Sequence, residues 1–407
     1  MTVIQALSRL AVAVSVASTA ATASADAVTD WNAKANQLVL ASRLGPPPAN
    51  RALAIAQVAT FEAVNAITRR YPASGRVTLV AAPGASADAA VAAAMRGTLS
   101  KLLASQQAEV EAAYQAALAT VPDGSGRGAG IAVGEQAAAA ILASCADDGA
   151  AAPDAYVPFA VPGVYVPTAS YAVPHWGHRK PWVLASGDQL RPGPPPALAS
   201  ELWARDYNEI KALGGKASTR RSAEQTEIAR FWEATQPSIY YPLARVVALQ
   251  PGRELTQNAR LLAAVGMAID DALIAIFDAK YAYNFWRPVT AIRNGDKDGN
   301  DATERDPSWT PFIETPMHPE YPCAHCVVSA SLGAVLQAEI GNGPVPVLAT
   351  TSPTAPGVTR SWRSIAEFTQ EVANARIYDG VHYRNSTEVG TTMGRKAGEM
   401  VATKMLR

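Results

Sequence analysis

The chain has 407 residues, 49% of them hydrophobic and 17% charged, with 35 basic against 35 acidic side chains. A net charge of zero excludes a general electrostatic footprint for nucleic acid or anionic lipid, and the apolar content excludes disorder. Three cysteines are too few for a disulfide scaffold, which leaves a neutral globular enzyme or small-molecule binder.

Residues 1–25 hold one positive charge at Arg9, an apolar run over 10–17 and a small-residue site at Ala23-Ser24-Ala25. That is the layout of a secretory signal peptide cleaved before Asp26, and the run is too short to span a bilayer. The mature protein is expected to be periplasmic or secreted, with no membrane-spanning segment. Helical texture follows over 26–42, 50–67, 86–104, 107–121 and 130–146, making an N-terminal helical part, 26–152. Residues 153–197 are rich in Pro and aromatics without periodicity, and read as an ordered covering segment or a linker. Helical texture resumes at 198–213 and 222–235. In a third helix Leu262, Val265, Ile269, Leu273 and Ile276 recur at spacings of three and four. Further helices are expected after Pro322, at 365–376 and at 388–405. No strand-rich block or repeat is visible. The expected fold is all-α, with 198–407 as the catalytic part of one compact unit with 26–152.

Chemistry concentrates in the C-terminal third, where His318, His325 and His382 lie among Lys280, Arg287, Arg293 and Arg376. Lys280 and Arg287 bracket a helix end, where two cations can clamp an oxyanion. Pro322 reads as the first residue of a helix, so the amides of Cys323 and Ala324 would face an anion. His325 in that first turn can then act as a general acid or base. Arg376, near another helix end, is followed after a short turn by His382.

Together these segments resemble the superfamily shared by vanadium-dependent haloperoxidases and type-2 phosphatidic acid phosphatases. Its signature is Lys-x6-Arg-Pro, then Pro-Ser-Gly-His, then Ser-Arg-x5-His-x3-Asp. The chain has Lys280-x6-Arg287-Pro288, Pro322-Cys323-Ala324-His325 and Ala375-Arg376-x5-His382-x3-Ser386. The resemblance implies a helical bundle in which Lys280, Arg287 and Arg376 bind the oxygens of vanadate or phosphate, helped by the Ala324 amide. It implies His325 as the acid/base, and His382 as the vanadium ligand of a peroxidase or the nucleophile of a phosphatase. Vanadate is the implied cofactor, with hydrogen peroxide and halide, bromide favoured, as substrates.

The departures carry information too. Cys323 stands where the family has Ser, exchanging a hydroxyl contact with the oxyanion for a weak thiol contact. Ser386 replaces the Asp that orients the histidine, and Asp379 is the candidate substitute. That loss hurts a nucleophile more than a metal ligand, which favours the peroxidase. His318, seven residues before His325, lies where the family's bromoperoxidases resemble this chain, and is a halide-site candidate. Two alternatives stay open: a phosphomonoesterase working through phospho-His382, and a non-catalytic oxyanion binder. Cys323, Cys326, His325 and His318 have a zinc-like spacing, although no second Cys pair exists. A disulfide among Cys145, Cys323 and Cys326 is the other use of these thiols. Asp270, Asp271 and Asp278 read as a solvated face or as ion-pair partners, and His175 and His178 as structural or surface residues.

Overall fold

A computed structural model describes residues 25–72 and 74–407; the signal peptide expected over 1–25 lies, apart from Ala25, outside them. The N-terminal part holds α1 (Ala27–Ser42), α2 (Pro46–Thr68), α3 (Ala87–Leu102), α4 (Gln107–Ala119) and α5 (Ser125–Ser144). After the Pro-rich segment come α6 (Glu201–Leu213), α7 (Ala223–Trp232), α8 (Pro237–Ala248), α9 (Leu255–Tyr283) and α10 (Pro288–Arg293). The chain then forms α11 (Ala324–Ile340), the hairpin β1 (Leu348–Ser352) and β2 (Ala355–Trp362), α12 (Ile365–Tyr378) and α13 (Arg384–Leu406). The fold is all-α with one small hairpin. Asp26, Ser86, Ser200, Ser222 and Ser364 each cap a helix by accepting a backbone N–H, which satisfies an otherwise orphaned donor.

The 29-residue α9 is apolar nearly all round and is buried without a break from Leu261 to Lys280, as a central core helix must be. It packs against α2 on one side and against α11 and α13 on another. Helices α11 and α13 make the most intimate pair. Gly390, Gly394 and Gly398, four apart on one face of α13, let it lie directly on the α11 backbone. A Cβ on Gly394 would sit 2.2 Å from the Val327 carbonyl oxygen. This approach sets the start of α11 beside the start of α13.

Three features differ from the sequence reading. Helix α8 escapes it because Pro242 interrupts the pattern and forfeits one ladder hydrogen bond. Burial of Ile239, Tyr240, Tyr241 and Leu243 offsets that loss. The antiparallel hairpin is also new: Leu348, Thr350 and Ser352 alternate inward, a period-2 signal too short to stand out. Pro322 is not the first helical residue. Its carbonyl accepts from Lys280 Nζ at 2.5 Å, so the ladder begins one residue later, where the Cys323 carbonyl accepts from Val327 at 3.2 Å.

Residues 153–197 form a strap tied to α9 and its C-terminal end. Tyr165 donates to the Asn284 carbonyl and Trp286 donates to that of Gly163. Arg179 forms buried ion pairs with Asp148 (2.6 Å) and Asp270 (2.8 Å), and Arg191 pairs with Asp278 at 2.7 Å. Asp271 accepts the amides of Trp182, Val183 and Leu184 at 2.6–3.0 Å. The acidic residues of α9 are therefore buried anchors for the strap, since a covering segment must find partners for its backbone groups. His175 pairs with Asp154 at 2.6 Å and His178 is exposed.

Candidate active site

The predicted residues converge where the C-terminal ends of α7, α9 and α12 meet the N-terminal ends of α10, α11 and α13. Lys280 lies in the last turn of α9, which stops at Asn284 in the left-handed region (φ 48°). Arg287 is the N-cap of α10, held out of the helix by Pro288, and Arg376 lies in the last turn of α12. His325 is in the first turn of α11, and His382 lies in the short link between α12 and α13. Lys280, Arg287, Arg376, Glu320 and Asp379 are all at most 1% exposed, so three cations face two carboxylates in a closed interior.

Each cation has a distinct set of partners. Lys280 Nζ donates to the carbonyls of Pro319 (2.9 Å), Glu320 (2.8 Å) and Pro322 (2.5 Å). All three ammonium protons are thus engaged by the loop before α11. Arg287 donates from Nε to the His318 carbonyl, from Nη1 to the Val381 carbonyl and from Nη2 to His318 Nδ1. Its Nη1 also lies 3.3 Å from His382 Nε2. Arg376 gives only Nη1, to the Trp232 carbonyl at the end of α7 and to Asp379 at 2.6 Å. Its Nε is buried without a partner.

Burial and the neighbouring cations hold the three site histidines well below the ordinary imidazole range, so all are neutral at pH 7. The same burial, with Arg287 close by, depresses the Lys280 ammonium, and Arg287 itself is drawn down to about 10. Neutrality fixes the His325 tautomer. His325 Nε2 donates to the Ala234 carbonyl at 3.2 Å, which leaves its Nδ1 as the basic atom. His318 Nδ1 lies 3.0 Å from Arg287 Nη2 and 3.2 Å from the Pro319 carbonyl, two partners that ask opposite roles of it. The His318 ring meets Phe277 edge-on at 5.2 Å.

The orienting carboxylate is the residue that the sequence reading missed. Asp379 does not reach His382, because it is spent on Arg376 at 2.6 Å. Glu320 takes the place instead, with Oε1 2.8 Å from His382 Nδ1 and 3.1 Å from the Tyr383 amide. Burial pushes the Glu320 carboxyl up to about 7, against the pull of Lys280 and Arg287. Its only sequence signal is its place between His318 and Pro322, on a loop 62 residues from its partner. Ser386 Oγ lies 3.4 Å from the same ring nitrogen, a marginal contact.

Cys323 and Cys326 form a disulfide, and Cys145 is free and buried. Cys323 therefore offers no thiol to an oxyanion and no thiolate to zinc, because both sulfurs are already bonded. It caps α11, accepting the Cys326 amide at 3.2 Å, and its own amide donates to the Ser386 carbonyl. A bond closing so short a loop stabilises by about 2 kcal/mol through chain entropy. Cys323→Ser/Cys326→Ala keeps an oxygen cap and is expected to lose about that much. Chemical denaturation with an unchanged midpoint would remove the disulfide from the stability account.

The donor set suits a tetrahedral oxyanion. The amides of Ala324 and His325 have no partner among the described residues, at a helix N-terminus where the macrodipole favours negative charge. Arg376 Nε awaits an acceptor, and the lone pairs of His325 Nδ1 and His382 Nε2 belong to the same cluster. Vanadate would be held by His382, Arg376, Arg287 and these amides. Larger clefts of about 520 Å³ beside Asp30 and 590 Å³ beside Asp188 share no side chain with this cluster.

The chain is similar to known proteins. The VCPO second helical-bundle domain matches residues 260–407, which carry every residue of the cluster except its α7 carbonyls. The vanadium chloroperoxidase of Curvularia inaequalis is 26% identical over 208 residues, 43% of this chain. The match spans only 33% of that relative's length. The crystal structure of the first bacterial vanadium-dependent iodoperoxidase superposes with a TM-score of 0.79 at 26% identity, covering 93% of this chain and 95% of that one. These likenesses support the superfamily of vanadium haloperoxidases and type-2 phosphatidic acid phosphatases that the motifs resemble. An apo-type bacterial vanadium-dependent chloroperoxidase, 15% identical with a TM-score of 0.71, shares the superfamily fold.

Proposed function

We propose that the protein is an exported vanadate-dependent haloperoxidase that oxidises halide, bromide favoured, with hydrogen peroxide. The observation that carries the reading is His382: Glu320 holds its Nδ1 proton, so Nε2 presents a lone pair beside the cations of a closed site. Likeness to the iodoperoxidase along nearly the whole of both chains supports peroxidase over phosphatase. When bound, vanadate supplies a Lewis-acidic centre that activates peroxide toward halide without changing its own oxidation state. Arg287 and Arg376 offset its negative charge, and the α11 amides orient its oxygens. His325 Nδ1, left basic by the Nε2 contact with Ala234, would hold and return the proton that the reaction moves. His318, held beside Arg287, is the halide-site candidate.

The Glu320–His382 pair also favours a second reading, because a carboxylate that orients an imidazole equally activates a nucleophile. The sequence argument from Ser386 against a phosphatase therefore falls away. One preparation tests both readings. Apo-protein is divided and one half is loaded with orthovanadate. The peroxidase reading expects peroxide-dependent bromination of a dye in the loaded half alone, lost in His382→Ala. Hydrolysis of an aryl phosphate in the unloaded half, with an acid-labile phosphohistidine at His382, would replace it by the phosphatase.

Export is supported by Asp26, whose carboxylate caps α1 at Thr29 and accepts from Asn258 Nδ2 at 2.8 Å. Cleavage after Ala25 would leave that cap in place. Intact mass of protein purified from its host should place the N-terminus at Asp26, and a retained Met1 would refute export by this signal.

A further inference from the structure

We propose that Glu320 is the positioning residue for His382, a loop carboxylate doing from before α11 what the superfamily Asp does from the position now held by Ser386. The inference rests on His382 being the anion-side histidine of the proposed function, and it adds how that imidazole is set.

The main chain of Glu320 is clamped at both of its polar groups. Its N–H donates to the Phe285 carbonyl at 2.9 Å, and its own carbonyl accepts from Lys280 Nζ at 2.8 Å. The flanking carbonyls of Pro319 and Pro322 are held by the same ammonium. With the backbone fixed, the side chain has little freedom. It passes over the strongest available charge, since Lys280 Nζ contacts carbonyls rather than the carboxylate. It ends instead on two donors that are adjacent in sequence, His382 Nδ1 and the Tyr383 amide. A carboxylate merely balancing charge would be expected on Lys280 or Arg287. One that sets an imidazole must reach Nδ1, and this one does.

The consequence is a defined tautomer. Oε1 accepts the Tyr383 N–H and so meets His382 as an acceptor too, which puts the proton on Nδ1 and leaves Nε2 its lone pair. Ser386 cannot impose this, because its hydroxyl both donates and accepts and lies 3.4 Å away. Its nearness nevertheless matters. An Asp at 386, in the first turn of α13, would bring a carboxylate to the same nitrogen. Positions 320 and 386 thus serve one atom, and an acid placed at 386 should restore what its loss at 320 removes.

The test uses ¹⁵N NMR of the unloaded protein, whose five histidines give a tractable spectrum. Wild type should show His382 protonated on Nδ1 and bare on Nε2. Glu320→Met, which keeps the volume and removes the acceptor, should shift His382 toward the Nε2–H form. It should also weaken orthovanadate binding, read by calorimetry, about ten- to a hundredfold. Adding Ser386→Asp to that variant should restore both the tautomer and most of the affinity. A double variant that folds but stays as weak as Glu320→Met overturns the proposal. So does wild-type His382 protonated on Nε2, a measurement that stands even if Glu320→Met fails to fold. Neither readout depends on the halide or on turnover, so failed bromination with the expected tautomer would sink the peroxidase reading and leave the positioning role intact.

Discussion

Arg376→Met weakens the binding of orthophosphate and orthovanadate about ten- to a hundredfold, and it also destabilises the fold, because the buried Asp379 carboxylate loses its ion-pair partner. The argument is one of donor supply. Arg376 spends Nη1 on Asp379 and on the Trp232 carbonyl, while its buried Nε has no acceptor. A buried donor without a partner is costly, and a tetrahedral anion removes that cost by accepting from it. Each charge-assisted hydrogen bond lost to the Met contributes about 1.5–3 kcal/mol, which sets the expected factor. Arg287→Met should show a comparable loss of affinity and a loss of stability of its own. Its guanidinium also ties the His318 and Val381 carbonyls together, and the Met leaves both unmatched. Calorimetric titration of the two variants with both anions, beside thermal melts, separates the effects. Wild-type affinity in both variants would mean that the cluster is a structural ion network rather than an oxyanion site.

The reach of the sequence can be judged from particular residues. Helices with a capping Ser or Asp and a three-four apolar period were legible, and so was the convergence of Arg287, His325, Arg376 and His382. Their spacing is set by the local turns that end one helix and begin the next. Helix α8 was hidden by an internal Pro, and the hairpin by strands of five and eight residues. Glu320 was hidden for a different reason. Its function depends on a contact across 62 residues, and nothing within the motif His318-Pro-Glu-Tyr-Pro322 says which way that side chain turns. The substitute that proximity suggested, Asp379, sits three residues from His382 but within the reach of Arg376, and the nearer cation takes it. The Cys323–Cys326 bond was one of several open pairings, and only the folded chain selects it.

Lys280→Met is expected to destabilise the protein by about 3–5 kcal/mol, since three buried carbonyls lose their donor at about 1–3 kcal/mol each. The resemblance alone would assign this lysine to the anion and predict mainly an affinity defect. Its hydrogen bonds point to another job. Nζ gathers the carbonyls of Pro319, Glu320 and Pro322, and so fixes the loop that carries Glu320 to His382 and starts α11 at Ala324. Without it three buried carbonyls face an apolar thioether, each lacking the partner that offset its desolvation. The Glu320 carboxylate would also lose a neighbouring cation that favours its ionised form. Melting temperature should therefore fall steeply, and hydrogen exchange of the Glu320 and Cys323 amides should accelerate ahead of the α9 core. Orthovanadate affinity should fall as well, because the His382 imidazole loses its fixed carboxylate when the loop relaxes. The melting temperature is decisive. If Lys280→Met keeps its melting temperature and loses only anion affinity, then Nζ leaves the three carbonyls to meet the anion, and the lysine belongs to the oxyanion contacts after all.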